Sequence, residues 1–114
     1  MRFEKSMKRL FIVFWIFVAA APNVFAASNF CGDIERIRTW ANGNDYYGIW
    51  VEYEENPSQC AGGFYLEHEV TNKQYVYSML LAFRMARQQL CIQVHNFEDN
   101  IDSRCKIHYV SEKL

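Results

Sequence analysis

Residues 63–94 read GFYLEHEVTNKQYVYSMLLAFRMARQQLCIQV: a short strand, one amphipathic helix, then a second strand. From residue 27 onward the rest of the chain is made of short runs rich in aromatic and β-branched residues, broken by Asn, Gly, Pro and Asp. A single helix inserted after the third strand of a small five-stranded protein limits the topologies available to the chain more than any other feature.

The first 26 residues are read as a targeting segment rather than as part of that fold. Arg2, Lys5, Lys8 and Arg9 make a basic start, Leu10 to Ala21 is an unbroken apolar run, and Val24-Phe25-Ala26 supplies small residues where a signal peptidase reads them. A spanning helix needs about 20 apolar residues, and this run is shorter, so a cleaved secretory signal is expected rather than a membrane anchor. Residues 27–114 are then one small domain with a limited core. The segment carries off four of the 12 basic residues and one of the 13 acidic ones, which leaves the domain net acidic. Nucleic-acid binding is not expected, because it rests on cationic neutralisation of phosphates, and no polybasic run is present to hold an anionic membrane.

All four cysteines, Cys31, Cys60, Cys91 and Cys105, follow the segment. An even number in a short exported chain points to disulfides. They are widely spaced, with no CxxC or HxxxH pair, so a zinc site is not expected. Three pairings are open on the residues alone.

Along the domain, Phe30 to Ala41 reads as a strand with imperfect alternation. Ile34 and Ile37 cannot share a face of a regular strand, so a bulge or bend is expected near Glu35-Arg36. Asn42-Gly43-Asn44-Asp45 is a turn. Tyr46 to Tyr53 is a second strand, with Tyr47, Ile49, Val51 and Tyr53 expected on one face and Tyr46, Gly48, Trp50 and Glu52 on the other. After a loop, Phe64 to His68 is a third strand, with Phe64 and Leu66 inward. Thr71-Asn72-Lys73-Gln74 reads as a capping box for a helix over Lys73 to Gln89. Its apolar face is Val76, Met79, Leu80 and Phe83, widened by Tyr75, Ala82 and Ala86. Leu90 to His95 is a fourth strand, Asn96 to Ser103 an acidic loop, and Arg104 to Val110 a fifth strand with Cys105, Ile107 and Tyr109 on one side.

Strand-strand-strand-helix-strand-strand in a chain this short is the order of the OB-fold, a five-stranded Greek-key barrel that binds oligonucleotides or oligosaccharides. The expected fold is therefore mainly β with one helix, an OB-fold-like barrel in the order β-β-β-α-β-β. The runs Cys60-Ala61-Gly62-Gly63-Phe64-Tyr65-Leu66, Tyr77-Ser78-Met79-Leu80-Leu81-Ala82, Leu90-Cys91-Ile92-Gln93-Val94 and Cys105-Lys106-Ile107 resemble small exported bacterial proteins similar to the B subunits of subtilase-type and pertussis-like toxins. That resemblance implies an OB-fold, assembly as a pentamer and binding of cell-surface glycans; it assigns no individual contact residue. The barrel it implies puts Cys60 beside Cys105 and leaves Cys31 with Cys91. The second bond requires a strongly curved first strand, because the first and fourth strands of such a barrel run antiparallel.

No catalytic constellation is evident. His68, His95 and His108 are scattered, and Glu52, Glu54, Glu55, Glu67 and Glu69 read as a solvated rim rather than the paired carboxylates of a glycosidase. The aromatic residues carry more information. Trp40, Tyr46 and Trp50 border the first hairpin and are the candidate ligand-binding residues, since exposed Trp and Tyr beside Asn and Asp suit stacking on sugar rings or a protein interface. The competing reading is that this face closes the barrel or lies under the helix. The expected function is an exported, non-catalytic module that recognises a glycan or protein, with a homo-oligomer implied by the resemblance and no cofactor. A periplasmic accessory or assembly subunit is the alternative.

Overall fold

The computed structural model describes residues 27–114, so the expected signal segment lies outside the described residues. The chain forms β1 (Ser28–Gly32), β2 (Ile34–Thr39), β3 (Tyr47–Tyr53), β4 (Gly63–Glu67), the helix α1 (Lys73–Ala86), β5 (Leu90–Val94), β6 (Arg104–Lys106) and β7 (Tyr109–Glu112). They make two sheets, one of three strands in the order β1-β5-β7 and one of four in the order β2-β3-β4-β6. The protein is thus mainly β with one helix. The expected first and fifth strands are each divided, and each half belongs to a different sheet.

The division of the first strand falls at Asp33, with a register shift between Ile34 and Arg36, at the bend that the spacing of Ile34 and Ile37 demands. The extra residue lets Ile34 enter the core and Ile37 pack against it. The last strand changes partner at Ile107-His108. β6 runs parallel to β4, the Ile107 amide donates to the Tyr65 carbonyl, and the next amide, of His108, donates to the Gln93 carbonyl of β5. The change of sheet resets the alternation, so Val110 packs on the core and Tyr109, expected on the same side as Cys105 and Ile107, is 42% exposed while they are buried. Hydrogen bonds join strands within each sheet and not all the way round, so the expected barrel is not closed.

Two disulfides, Cys31–Cys91 and Cys60–Cys105, fasten this arrangement. Cys31 lies near the end of β1, which begins at Ser28, so the antiparallel pairing of β1 with β5 places it directly opposite Cys91. A short separate β1 therefore does what a single strongly curved strand would otherwise have to do. Cys60 ends a 3-10 turn just before β4 and meets Cys105 on the parallel neighbour β6.

The core lies between the sheets and is made of Ile49, Val51, Phe64, Leu66, Leu90, Ile92 and Val94, closed at one end by Leu80 of the helix. Tyr53 is buried among them, and its hydroxyl donates to the carbonyls of Phe30 and Leu90. Gly63 opens β4 at φ 96°, and a Cβ there would stand 2.4 Å from the Val51 carbonyl oxygen, so both the backbone angle and the space require glycine.

The helix turns Val76, Met79, Leu80 and Phe83 to the core as its periodicity predicts. Tyr75, Ala82 and Ala86 do not widen that face; they are exposed. The capping box does not form. Asn72 is the N-cap and no side chain caps the first turn; the Lys73 amide donates to the Val70 carbonyl in a preceding turn. The helix stops three residues before Gln89. Arg87 adopts a left-handed φ of 55°, and the pair Arg87 N–H to Arg84 O and Gln88 N–H to Phe83 O closes a Schellman motif without glycine.

Candidate functional site

The face of the four-stranded sheet turned away from the core carries the candidate residues. Trp50 alternates with Ile49 and Val51 on β3, so it must point outward when they are buried. Trp40 follows β2, and its amide donates to the Gly48 carbonyl, which holds it beside Trp50 with ring centroids 4.8 Å apart, edge to face. Tyr46 ends the turn in which the Asp45 amide donates to the Asn42 carbonyl, and it is 53% exposed. The structure therefore gathers Trp40, Tyr46 and Trp50 on one surface, and the helix packs on the opposite side of the sheet, against the core.

The residue joining them is Tyr47, which strict alternation would put on the face of Ile49, Val51 and Tyr53. A register shift between Tyr47 and Ile49 puts a bulge at Gly48, so Tyr47 falls on the outer face instead. Its ring lies 5.3 Å from both Tyr46 and Trp50, and 5.8 Å from Trp40. A Cβ on Gly48 would meet the His68 backbone at 2.9 Å, which is why the bulge sits on a glycine. Tyr65 of β4 lies edge-on to Tyr47 and is buried under the cluster, its hydroxyl donating to the Asp99 carbonyl of the acidic loop. Burial pushes the hydroxyls of Tyr65 and Tyr47 up from their ordinary range, with the Asp102 carboxylate adding to the effect on Tyr47, so both are neutral donors at physiological pH.

Charged groups border the aromatic rings on both sides. At the Tyr46 end, the Tyr46 hydroxyl donates to Glu67 at 3.2 Å, and Lys106 pairs with the same carboxylate oxygen at 3.0 Å. That hydrogen bond holds the Lys106 ammonium above its usual range. A cleft of about 390 Å³ opens there, lined by Asn44, Asp45, Tyr46, Glu67 and Glu69. At the Trp50 end, the Arg104 guanidinium stacks 3.6 Å over the indole, with Arg38 at 5.0 Å from the same ring. Arg36 pairs with Glu52 at 3.7 Å beside them.

The other candidates do not converge. Glu52 and Glu67 are taken up in separate ion pairs rather than facing each other. His95 and His108 come within 5.1 Å of each other, and His108 is hydrogen-bonded to Gln93, but among the described residues no group of three metal-ligating side chains exists. Sequence reasoning missed Tyr47, Tyr65, Arg38 and Arg104. The glycine inside the β3 pattern was the signal for Tyr47, since an isolated strand glycine marks a bulge. Arg104 comes from β6, far along the chain, and no local pattern points to it. No family model, curated protein or solved structure matches this chain.

Proposed function

We propose that the protein is an exported, non-catalytic binding module that recognises a glycan through the Trp40–Tyr46–Tyr47–Trp50 face. The contiguous aromatic surface at the rim of the cleft carries the reading. Sugar rings present C–H faces that stack on aromatic side chains, and their hydroxyls take the amide and carboxylate acceptors that Asn44, Asp45, Glu67 and Glu69 supply beside Tyr46. The cleft falls in the range of about 300–1,000 Å³ typical of small-ligand sites. Export is supported by the basic and apolar start of the sequence and by two disulfides in so short a chain. The finer fold reading, an OB-fold-like Greek-key barrel akin to the B subunits of subtilase-type and pertussis-like toxins, is supported by the element order and by the two divided strands that pass from one sheet to the other.

The test is a glycan array probed with the disulfide-bonded protein, expressed as the full chain into an oxidising compartment. Binding that disappears in Tyr46→Ala and Trp50→Ala, with both variants folded, is the expected outcome. A negative array with intact wild type refutes the glycan reading.

A second reading, an assembly subunit, is favoured by the outer face of the helix. Tyr75 and Met85 are 76% and 77% exposed, and with Ser78 and Ala82 they form an uncharged stripe where a solvent-facing helix ordinarily carries charge. In a ring of copies, pentameric in the toxin B subunits, such a stripe would be covered. Light scattering over a range of concentrations tests it, and a strict monomer refutes it.

A further inference from the structure

We propose that His95 and His108 form a two-imidazole site for an exchangeable divalent transition-metal ion, zinc or copper. Both rings belong to the three-stranded sheet and not to the aromatic face, so the inference stands whether or not a glycan binds. His95 is the residue after β5 and His108 the residue before β7, and the antiparallel pairing of those strands sets them side by side. Their ring centroids are 5.1 Å apart and the ring planes are inclined at 51°, so the rings do not stack face to face. A zinc ion sits about 2.0–2.1 Å from each imidazole nitrogen, hence about 3.2 Å from each ring centre, and at the tetrahedral angle two such centres are about 5.2 Å apart. The two rings therefore already have the spacing of two ligands on one ion.

Gln93 prepares His108 for that role. Its Oε1 lies 2.7 Å from His108 Nδ1 and is an acceptor only, so that ring nitrogen carries the proton. In the neutral ring Nε2 then keeps the free lone pair, which is the form that ligates metal. The Gln93 amide is itself anchored, its Nε2 donating to the Tyr109 hydroxyl at 2.9 Å. Both imidazoles are exposed, so an ion reaches them from solvent. They open on a pocket of about 200 Å³ that Asn96, Asp99 and Lys106 also line. The Lys106 ammonium is committed to Glu67 at 3.0 Å, while the Asp99 carboxylate favours a cation. Imidazole suits zinc and copper, whereas magnesium and calcium take oxygen ligands. Two protein ligands are fewer than the three or four of a resident zinc centre, so water completes the coordination and the ion exchanges. Competing ligands are few. His68 is the chain's other histidine, with its Nδ1 3.3 Å from Lys73 Nζ, and all four cysteines are in disulfides.

The test titrates zinc chloride, in a buffer free of chelators, into ¹⁵N-labelled disulfide-bonded protein that carries no affinity tag, while the histidine ring nitrogens are followed by long-range ¹H–¹⁵N correlation. Before zinc is added, His108 is expected to show its proton on Nδ1. Zinc is expected to shift both rings saturably at one ion per chain, and copper(II), followed by calorimetry, to bind more tightly than zinc. His95→Gln and His108→Gln, both at exposed positions, are each expected to weaken zinc binding at least about tenfold. Gln93→Leu removes the positioning contact; it is expected to weaken zinc about tenfold with both imidazoles in place and to let the His108 proton distribute over both ring nitrogens. His68→Gln is expected to leave binding unchanged. Zinc that shifts neither ring overturns the site, as does binding that survives either His95→Gln or His108→Gln undiminished or is lost in His68→Gln. Magnesium chloride that reproduces the zinc shifts also overturns it, because the Asp99 carboxylate and not the imidazoles would then hold the ion. Wild-type affinity and an unmoved proton in Gln93→Leu overturn the positioning role of Gln93.

Discussion

Replacing Tyr53 with Phe isolates one hydroxyl that joins the two sheets. Tyr53 belongs to the four-stranded sheet, is 2% exposed, and its hydroxyl lies 2.7 Å from the Phe30 carbonyl and 2.8 Å from the Leu90 carbonyl of the other sheet. Phenylalanine keeps the ring and its packing on Phe64. A hydroxyl carries one proton, so the two carbonyls share it, and its removal leaves buried acceptors undersupplied. The expected loss is about 1–2 kcal/mol, which for a small domain with a urea m-value of about 1.5 kcal/mol/M lowers the denaturation midpoint by about 1 M. A second readout follows from ionisation. Burial raises the Tyr53 hydroxyl far above its ordinary range. Below about pH 10 both folded and unfolded chains hold that proton, and the stability it brings is fully present; above it the unfolded chain ionises first, so stability falls, by about 1.4 kcal/mol at pH 11. Tyr53→Phe lacks this loss, whereas every other tyrosine is common to both proteins and cancels. Urea titrations of both proteins at pH 7, 10 and 11, with disulfides intact, should therefore show the wild-type advantage shrinking over the last step. A variant within about 0.5 kcal/mol of wild type at pH 7, or a gap that stays constant to pH 11, refutes the assigned role.

Gly63→Ala places a Cβ against the Val51 carbonyl at a backbone angle that alanine resists, and it should cost at least about 2 kcal/mol or abolish folding; recovery of wild-type stability on thermal melting would contradict the geometry. The double variant Cys60→Ser/Cys105→Ser removes the tie between the 3-10 turn before β4 and β6 and should lose about 2–4 kcal/mol in denaturant unfolding, with Cys31–Cys91 still formed on a non-reducing mass map. Met85→Lys adds a charge to an exposed helix position and should change monomer stability by no more than about 0.5 kcal/mol; if the helix stripe joins copies of the chain, the same variant shifts the light-scattering mass to that of a monomer.

The helix, its inner face and the buried residues of β4 and β5 are legible because each is set by neighbours a few positions away. Val76, Met79, Leu80 and Phe83 recur at helical spacing, and Leu90, Ile92 and Val94 at strand spacing. The bend near Glu35 is legible for the same reason, since Ile34 and Ile37 conflict with a straight strand. The helix starts at Lys73 as its sequence predicts, but the capping box fails because Asn72 and not Thr71 is the N-cap, with no side chain bonded to the first turn. Tyr109 fails because its strand changes sheets before reaching it, an event with no signature in its own alternation. Trp40, Tyr46 and Trp50 were singled out by residue type and hairpin position. Their joint placement depends on the bulge that sends Tyr47 outward to bridge them.

The sequence by itself determined the order of elements, the single helix and which face of each regular segment is apolar, because periodicity is local and burial enforces it. Tertiary structure alone decided where the first and last strands divide between sheets, which cysteines meet, and that Arg104 lies on Trp50. Those outcomes depend on hydrogen bonds and packing between residues distant in sequence, and a chain satisfies them only once two twisted sheets have enclosed a common core.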